Sequence, residues 1–251
     1  MTAFCELEAF LFFSTIINFD LLAFGPTGYG DELFRGLLLT VQISVLAYAL
    51  GIILGLCGAM GKLTGGKWLK RLLGSYTTVV RAIPDLVLIL LLYYAGTDGL
   101  NRMLGSIGFQ KIEINGLVAA ICVVGFVYGA YSTEVMRAAI QAVPVGQIEA
   151  AKAYGMSPFL RFRRVVLPAM LPYAIPGLAN LWLNVTKASA LISVVGFTEL
   201  ALATKQAAGV SKLYLMFYVC TLLIYLSITL ISNQIFGWLE RRVRRGQPKL
   251  A

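Results

Sequence analysis

Four stretches of the chain run without charge for the length of a bilayer crossing: Leu37 to Met60, Gly116 to Thr133, Val165 to Thr186 and Leu213 to Leu239. About 20 apolar residues carry a helix across the hydrocarbon core, so each predicts a transmembrane helix. A fifth apolar stretch, Leu72 to Thr97, is interrupted by Arg81 and Asp85, and only its second half, Leu86 to Ala95, is uniformly apolar. The pattern predicts an all-α integral membrane protein with five transmembrane helices. Met1 to Phe24 is apolar as well but holds Glu6, Glu8 and Asp20. It lacks the basic start and small-residue cleavage site of a signal peptide. It reads as an external lead-in, interfacial or loosely ordered, closed by the turn-rich Gly25-Pro26-Thr27-Gly28-Tyr29-Gly30. The chain divides into a lead-in and linker over 1–34, a membrane domain over 35–238 and a basic tail over 239–251.

Composition agrees with that division. Of 251 residues 59% are hydrophobic and 13% charged, about half the charge of a soluble domain, which averages roughly 25%. The net charge of +9 does not indicate nucleic acid, because the lysines and arginines sit beside the apolar runs, where positive-inside flanks belong. They also set a direction. Fourteen lie on one set of flanks (Lys62 to Arg71, Arg137 to Arg164, Arg241 to Lys249) and five on the other (Arg35, Arg102, Lys111, Lys205, Lys212). The richer side is cytoplasmic by that rule, and five crossings then put the N-terminus outside and the C-terminus inside. There is no histidine and no paired-cysteine motif among Cys5, Cys57, Cys122 and Cys220. Metal-site spacing and histidine acid–base chemistry are thereby excluded, leaving neither a catalytic nor a metal-binding residue to nominate.

The longest polar insertion lies on the cytoplasmic side, Glu149 to Pro168 (EAAKAYGMSPFLRFRRVVLP). Pro144 and Gly146 end the preceding helix. Gln147 to Tyr154 predicts two helical turns, about 12 Å at 1.5 Å per residue, with Ile148, Ala151 and Tyr154 on one face. Gly155 suits the left-handed position that closes a helix, and Ser157-Pro158 suits the cap and first residue of the next. The residues alone allow an ordinary interfacial helix or a docking element.

Glu149-Ala150-Ala151, Gly155 four residues after Ala151, and Leu167-Pro168 twelve after Gly155 resemble the "EAA" signature of ABC importer permeases. The likeness runs from about Arg35 to Trp238. YTTVVRAIPDLVL (Tyr76 to Leu88), GFVYGAYSTEVMRAAIQAVPVGQIEAAKAYG and LISVVGFTEL are similar to the polar amino acid permeases of the histidine/lysine/arginine/ornithine and opine branch, of the Q type. The resemblance implies a type I ABC importer permease fold with a cytoplasmic coupling helix. It implies that Gln147, Ile148, Glu149, Ala150, Ala151, Tyr154, Gly155 and Pro168 meet a dimer of ATPase subunits. It further implies a second permease, a sister chain of the M type, an extracytoplasmic substrate-binding protein, and a place in the bacterial inner membrane. No GxxxxGK[ST] phosphate loop occurs, so ATP and Mg are expected on the partner ATPase and no cofactor in this chain.

Polar residues inside the spans are the candidates for a substrate pathway, since a charge at a helix centre costs about 2.5–3.5 kcal/mol on insertion scales. Arg81 and Asp85 are four apart, so on a continuous helix they share a face and can neutralise each other. That makes them either a substrate-facing cluster or an interfacial salt bridge. Pro168, Pro172 and Pro176 recur along one face and predict a bent helix, which Asn180, Asn184 and Lys187 continue. Lys187 suits a substrate carboxylate; Asp85, Glu134 or Glu199 suits a cationic side chain. Glu134 also pairs at i, i+3 with Arg137. Ser189 to Gly209, apolar but broken by Gly196, Glu199 and Lys205, reads as a segment dipping in from outside. Two other readings stand beside an ATP-driven importer of a basic amino acid or opine. One is an ion-coupled secondary amino acid transporter, which calls for mid-span carboxylates and an internal repeat; the other is a membrane scaffold that transports nothing.

Overall fold

The computed structural model describes residues 19–25, 28–106 and 115–244, and among them there are helices and turns but no strand. Residues 1–18, most of the expected lead-in, lie outside the described residues. The helices are α1 (Gly30–Thr64), α2 (Lys67–Ala82), α3 (Asp85–Ser106), α4 (Gly116–Gln141), α5 (Val145–Ala153), α6 (Pro158–Arg161), α7 (Leu167–Ala188), α8 (Leu200–Ser211) and α9 (Tyr214–Val243). A single 3-10 turn, Phe19–Leu22, precedes them. Four uncharged stretches appear as four long apolar helices, α1, α4, the run through α6 and α7, and α9. They exceed the apolar runs that announced them. Helix α1 begins at Gly30, ahead of the expected boundary at residue 35, and α9 runs to Val243, past residue 238.

The fifth expected span is not one helix. It divides into α2 and α3, whose axes differ by 117°. Ile83 is extended (φ −96°, ψ 139°), as the residue before a proline is pushed to be, and Pro84 starts the new direction. Arg81 ends one helix and Asp85 begins the next, so the i, i+4 geometry that would have paired them does not exist. No Arg81–Asp85 ion pair occurs among the described residues.

Contacts fix the relative directions. Gly51, Gly55 and Gly58 of α1 lie against Gly125 and Gly129, Ser132 and Thr133 of α4 in ascending order, so these helices run parallel. Small residues let the backbones close up, as in membrane helix pairs generally. Asp85 meets Tyr128 and Tyr131 while Tyr93 reaches the start of α4, so α3 is antiparallel to α4. Gly177 lies beside Val135 and the Asn184 carbonyl beside Tyr128, so α7 is antiparallel too. Tyr225 approaches Glu199 beside Thr40, and Phe236 packs on Tyr48, which aligns α9 with α1. Thus α1, α4 and α9 end on one side, the side holding the basic flanks and α5.

The main core lies between α1, α4 and α7, around Ile43, Val124, Val127, Met170 and Val185. A second cluster joins Leu33, Leu200, Ala207 and Phe217. Helix α8 is inserted there between α1 and α9, so the expected dipping segment is a packed hairpin of a 3-10 run (Ser189–Val195), a left-handed Gly196 (φ +87°) and α8. The outward face of α9, with Leu222, Leu226, Leu230 and Ile235, is exposed, as a lipid-facing surface is.

Candidate functional site: a polar cleft and a surface loop

Helix α5 arises where Pro144 caps its start and Tyr154 its end. Gly155 has φ +70°, and its N–H donates to the Lys152 carbonyl at 2.9 Å while that of Met156 donates to Ala151 at 3.1 Å. This paired closure is the Schellman arrangement, and it needs the left-handed residue that glycine supplies. Ser157 Oγ accepts from the Leu160 N–H at 3.4 Å, with Pro158 next. The chain then passes through one π turn, Phe162–Val166, in which the Leu167 N–H reaches the Phe162 carbonyl. Such turns absorb one extra residue, and here the turn precedes Pro168.

The loop residues divide by direction. Ile148 packs onto the core and Ala151 is buried. Tyr154 does not share their face: as the capping residue it is turned outward and is 85% exposed. Glu149 is exposed as well. Gln147, Ala150, Ala151, Tyr154 and Pro168, with Met156, Arg164, Val165 and Ala169, line a mostly apolar groove of about 500 Å³.

The cleft lies at the other end of α7. Asp85 opens α3, and its carboxylate accepts from Tyr128 Oη at 3.0 Å and from Tyr131 Oη at 3.3 Å. The two rings stack at 5.5 Å. Tyr128 Oη also lies 3.4 Å from the Asn184 carbonyl. Asp85, Tyr128 and Tyr131 form one wall of a cavity of about 380 Å³, completed by Asn184, Lys187, Ala188 and Leu191. That volume is within the usual range for a small-molecule site. Lys187 is exposed and has no ion-pair partner among the described residues. The cavity therefore offers a carboxylate braced by two phenols and a separate ammonium, with apolar surface beside them.

Of the six polar positions nominated from sequence, Asp85, Asn184 and Lys187 come together here. Asn180 is exposed one turn away on α7 and does not reach the cavity wall. Arg81 lies behind Tyr131, its guanidinium 5.8 Å from the ring centroid, in a neighbouring cavity lined by Lys62, Thr77, Thr78, Ala82 and Glu134. Glu199 is elsewhere altogether. It is fully buried and caps α8, Oε1 accepting from the N–H groups of Ala201 at 2.8 Å and Leu202 at 3.1 Å. Its Oε2 accepts from Thr40 at 3.0 Å and Tyr225 at 3.4 Å, so its geometry is that of a structural cap. Glu134 pairs with Arg137 at 2.8 Å as expected, and also with Lys62 of α1. Sequence reasoning passed over Tyr128 and Tyr131. Their signal was two hydroxyls at i, i+3 on an otherwise apolar helix face.

Comparison with known proteins accords with this geometry. Residues 47–245 match the family described as "Binding-protein-dependent transport system inner membrane component". The chain is 42% identical to the nopaline transport system permease protein NocQ of Agrobacterium fabrum, over 92% of this chain and 98% of that one. It is 38% identical to the histidine/lysine/arginine/ornithine permease HisQ of Escherichia coli, over 87% and 96%. It is also 38% identical to the octopine permease OccQ of Rhizobium meliloti, over 90% and 96%. Among solved structures it resembles an amino acid ABC transporter crystallised with histidines, with TM-score 0.70, 31% identity and coverage of 85% and 95%. The fold alone is shared with the MetNI methionine ABC transporter, at TM-score 0.64 and 19% identity over 85% and 94%. The branch suggested by the segments Tyr76–Leu88, Gly125–Gly155 and Leu191–Leu200 is the one these relatives occupy, and the chain belongs to the binding-protein-dependent inner-membrane permeases of ABC importers.

Proposed function

We propose that this permease subunit conducts a basic amino acid or an opine inward, and that Asp85, Asn184 and Lys187 contact the substrate on the way. The observation that carries the reading is the separation of charge in the cleft. Asp85 suits a cationic side chain and Lys187 a carboxylate, and the two do not neutralise each other. Relatives named for histidine, lysine, arginine, ornithine, nopaline and octopine transport support the substrate class. The N-terminus lies outside and the C-terminus in the cytoplasm, supported by fourteen basic residues against five.

The working assembly is this chain with a sister permease of the M type, two ATPase subunits that hold ATP and Mg, and an extracytoplasmic binding protein. Gln147, Ile148, Glu149, Ala150, Ala151, Tyr154, Gly155 and Pro168 form the contact with the ATPase. Closure of the ATPase pair draws the α5 helices together and rocks the bundle until the cleft faces the binding protein. The chain's membrane domain is 35–238, with 1–34 leading in and 239–251 as a cytoplasmic tail.

The test is Asp85→Asn in the reconstituted transporter with L-arginine as substrate. Loss of a charge-assisted contact predicts uptake down about tenfold or more while the ATPase subunits still co-purify. Uptake within twofold of wild type, taking twofold as about 0.4 kcal/mol, would remove the cleft from the pathway. Uptake that persists without the ATPase subunits would instead favour an ion-coupled carrier.

A further inference from the structure

Behind Tyr131 the protein holds a second polar cavity, of about 480 Å³, lined by Lys62, Thr77, Thr78, Arg81, Ala82 and Glu134. Its charges do not balance. Glu134 already accepts from both Lys62 and Arg137, which leaves Arg81 without a carboxylate among the described residues. The wall holds two cations and one anion, and that anion is shared with Arg137 outside the wall. Thr77 Oγ is engaged by Lys62 Nζ at 2.6 Å, while Thr78 is exposed. A cavity with surplus guanidinium and ammonium charge and neighbouring hydroxyls takes a carboxylate, which an arginine can grip with two parallel hydrogen bonds.

Tyr131, a wall of the cleft, also touches Arg81 of this cavity. Its hydroxyl donates to Asp85 on the cleft side, and its ring lies under the Arg81 guanidinium on the other. The ring stands between Asp85 and Arg81, held by one hydrogen bond of 3.3 Å, by stacking on Tyr128 at 5.5 Å and by one cation–π contact at 5.8 Å, the last worth about 0.5–1 kcal/mol at an exposed site. The hydrogen bond and the cation–π contact can be exchanged for ligand contacts, and the stacking on Tyr128 is the contact the swing must break. Lys62 and Glu134 lie toward the side holding α5 and the basic flanks, so the second cavity follows the first in the inward direction.

We propose that the cavity at Arg81 is a second binding station, which receives the substrate's carboxylate after it leaves Lys187, with Tyr131 swinging aside between the two. The inference rests on the cleft being part of the pathway and adds a site, a ligand group and an order. A substrate with a carboxylate has somewhere to go on leaving Lys187; a decarboxylated one does not.

The experiment uses the complete transporter with its four native cysteines changed to serine and single cysteines placed at Thr78→Cys or Asn184→Cys. A cationic methanethiosulfonate reports accessibility, and the probes are L-arginine and agmatine, which keeps the guanidinium but lacks the carboxylate. L-arginine should slow labelling at Thr78→Cys about fivefold and agmatine hardly at all, and Arg81→Gln should abolish the protection, with Arg81→Lys retaining part of it. Equal protection by both probes, or protection that survives Arg81→Gln, overturns the carboxylate station. Protection at Asn184→Cys without any at Thr78→Cys also overturns it while leaving the cleft reading intact. Protection at neither position overturns both. Co-purification of the ATPase with each variant establishes that it is folded and assembled.

Discussion

A methyl group added at Gly55 has nowhere to go. A Cβ built there meets Ser132 Oγ at 2.3 Å, Ser132 Cβ at 2.5 Å and the Ser132 carbonyl carbon at 2.8 Å. Ordinary contacts begin near 3.4 Å, so Gly55→Ala requires α1 and α4 to part by about 1 Å locally, an overpacking that typically costs about 1–3 kcal/mol. Because 1 kcal/mol shifts Tm by about 2–4 °C for chains of 150–250 residues, the loss should be roughly 2–12 °C. Gly51 supplies the control: its Cβ meets nothing closer than 3.5 Å, and Gly51→Ala should hold Tm within about 1 °C. Ser132 supplies the rescue. Its hydroxyl is buried and has no hydrogen-bond partner, so Ser132→Gly breaks no bond and removes two of the three clashes. Gly55→Ala with Ser132→Gly should recover about 1 kcal/mol of coupling. The assay is thermal unfolding of the purified transporter, followed by size-exclusion of a fluorescent fusion. Equal Tm values for Gly51→Ala and Gly55→Ala, or no recovery in the double variant, would refute a seam closed by small residues.

Three further outcomes are expected. Glu134→Gln leaves Lys62 and Arg137 without their shared carboxylate, whose side chain is 18% exposed; thermal stability should fall by about 1–3 kcal/mol. Arg102→Gln, which breaks a pair 82% and 67% exposed, should stay within about 0.5 kcal/mol, and a comparable loss at both sites would contradict the assignment. Gly155→Val forces a branched side chain to φ +70° at about 1–2 kcal/mol of strain. Glu149→Lys reverses an exposed charge on the same loop, and each variant should insert normally yet lose the ATPase subunits on purification; intact co-purification and uptake would dismiss the docking role. Glu199→Ala removes a cap and orphans buried donors, costing about 2–4 kcal/mol, but the surviving protein should bind L-arginine as wild type does. Weakened binding there would return Glu199 to the pathway.

The legible parts of the molecule were those written in neighbouring residues. Gly155 and Ser157-Pro158 announce the ends of α5 and α6 because caps depend on local backbone geometry. Uncharged runs announce α1, α4, α7 and α9 because the bilayer sets their length. What escaped depends on partners far along the chain. Glu199 looked like a free carboxylate in an apolar stretch, yet the hydroxyls of Thr40 and Tyr225, 159 and 26 positions away, donate to it. Asp85 appeared to answer Arg81, yet Tyr128 and Tyr131 answer it, 43 and 46 positions on. Pro84 signalled a disturbance, but a kink and a 117° turn share the same missing N–H, and only packing against α1 and α4 chooses between them. The seam of Gly51, Gly55 and Gly58 was likewise invisible, since glycines in an apolar run do not say which helix they admit.

The three prolines of α7 decide how the two ends of that helix communicate. Pro168, Pro172 and Pro176 leave the carbonyls of Arg164, Pro168 and Pro172 without an i+4 N–H partner, the first of them within the π turn. One rung in each of three turns is missing from the half of the helix next to α5, whereas no proline interrupts the half carrying Asn184 and Lys187. A pivot at Pro176 therefore swings an intact arm. Eight residues separate it from Asn184, about 12 Å at 1.5 Å per residue, so a tilt of about 15° carries that side chain roughly 3 Å. That is the span between a formed hydrogen bond and a broken one. On the proposed pathway, a modest displacement of the loop would thus release a ligand from the cleft without unfolding any part of it.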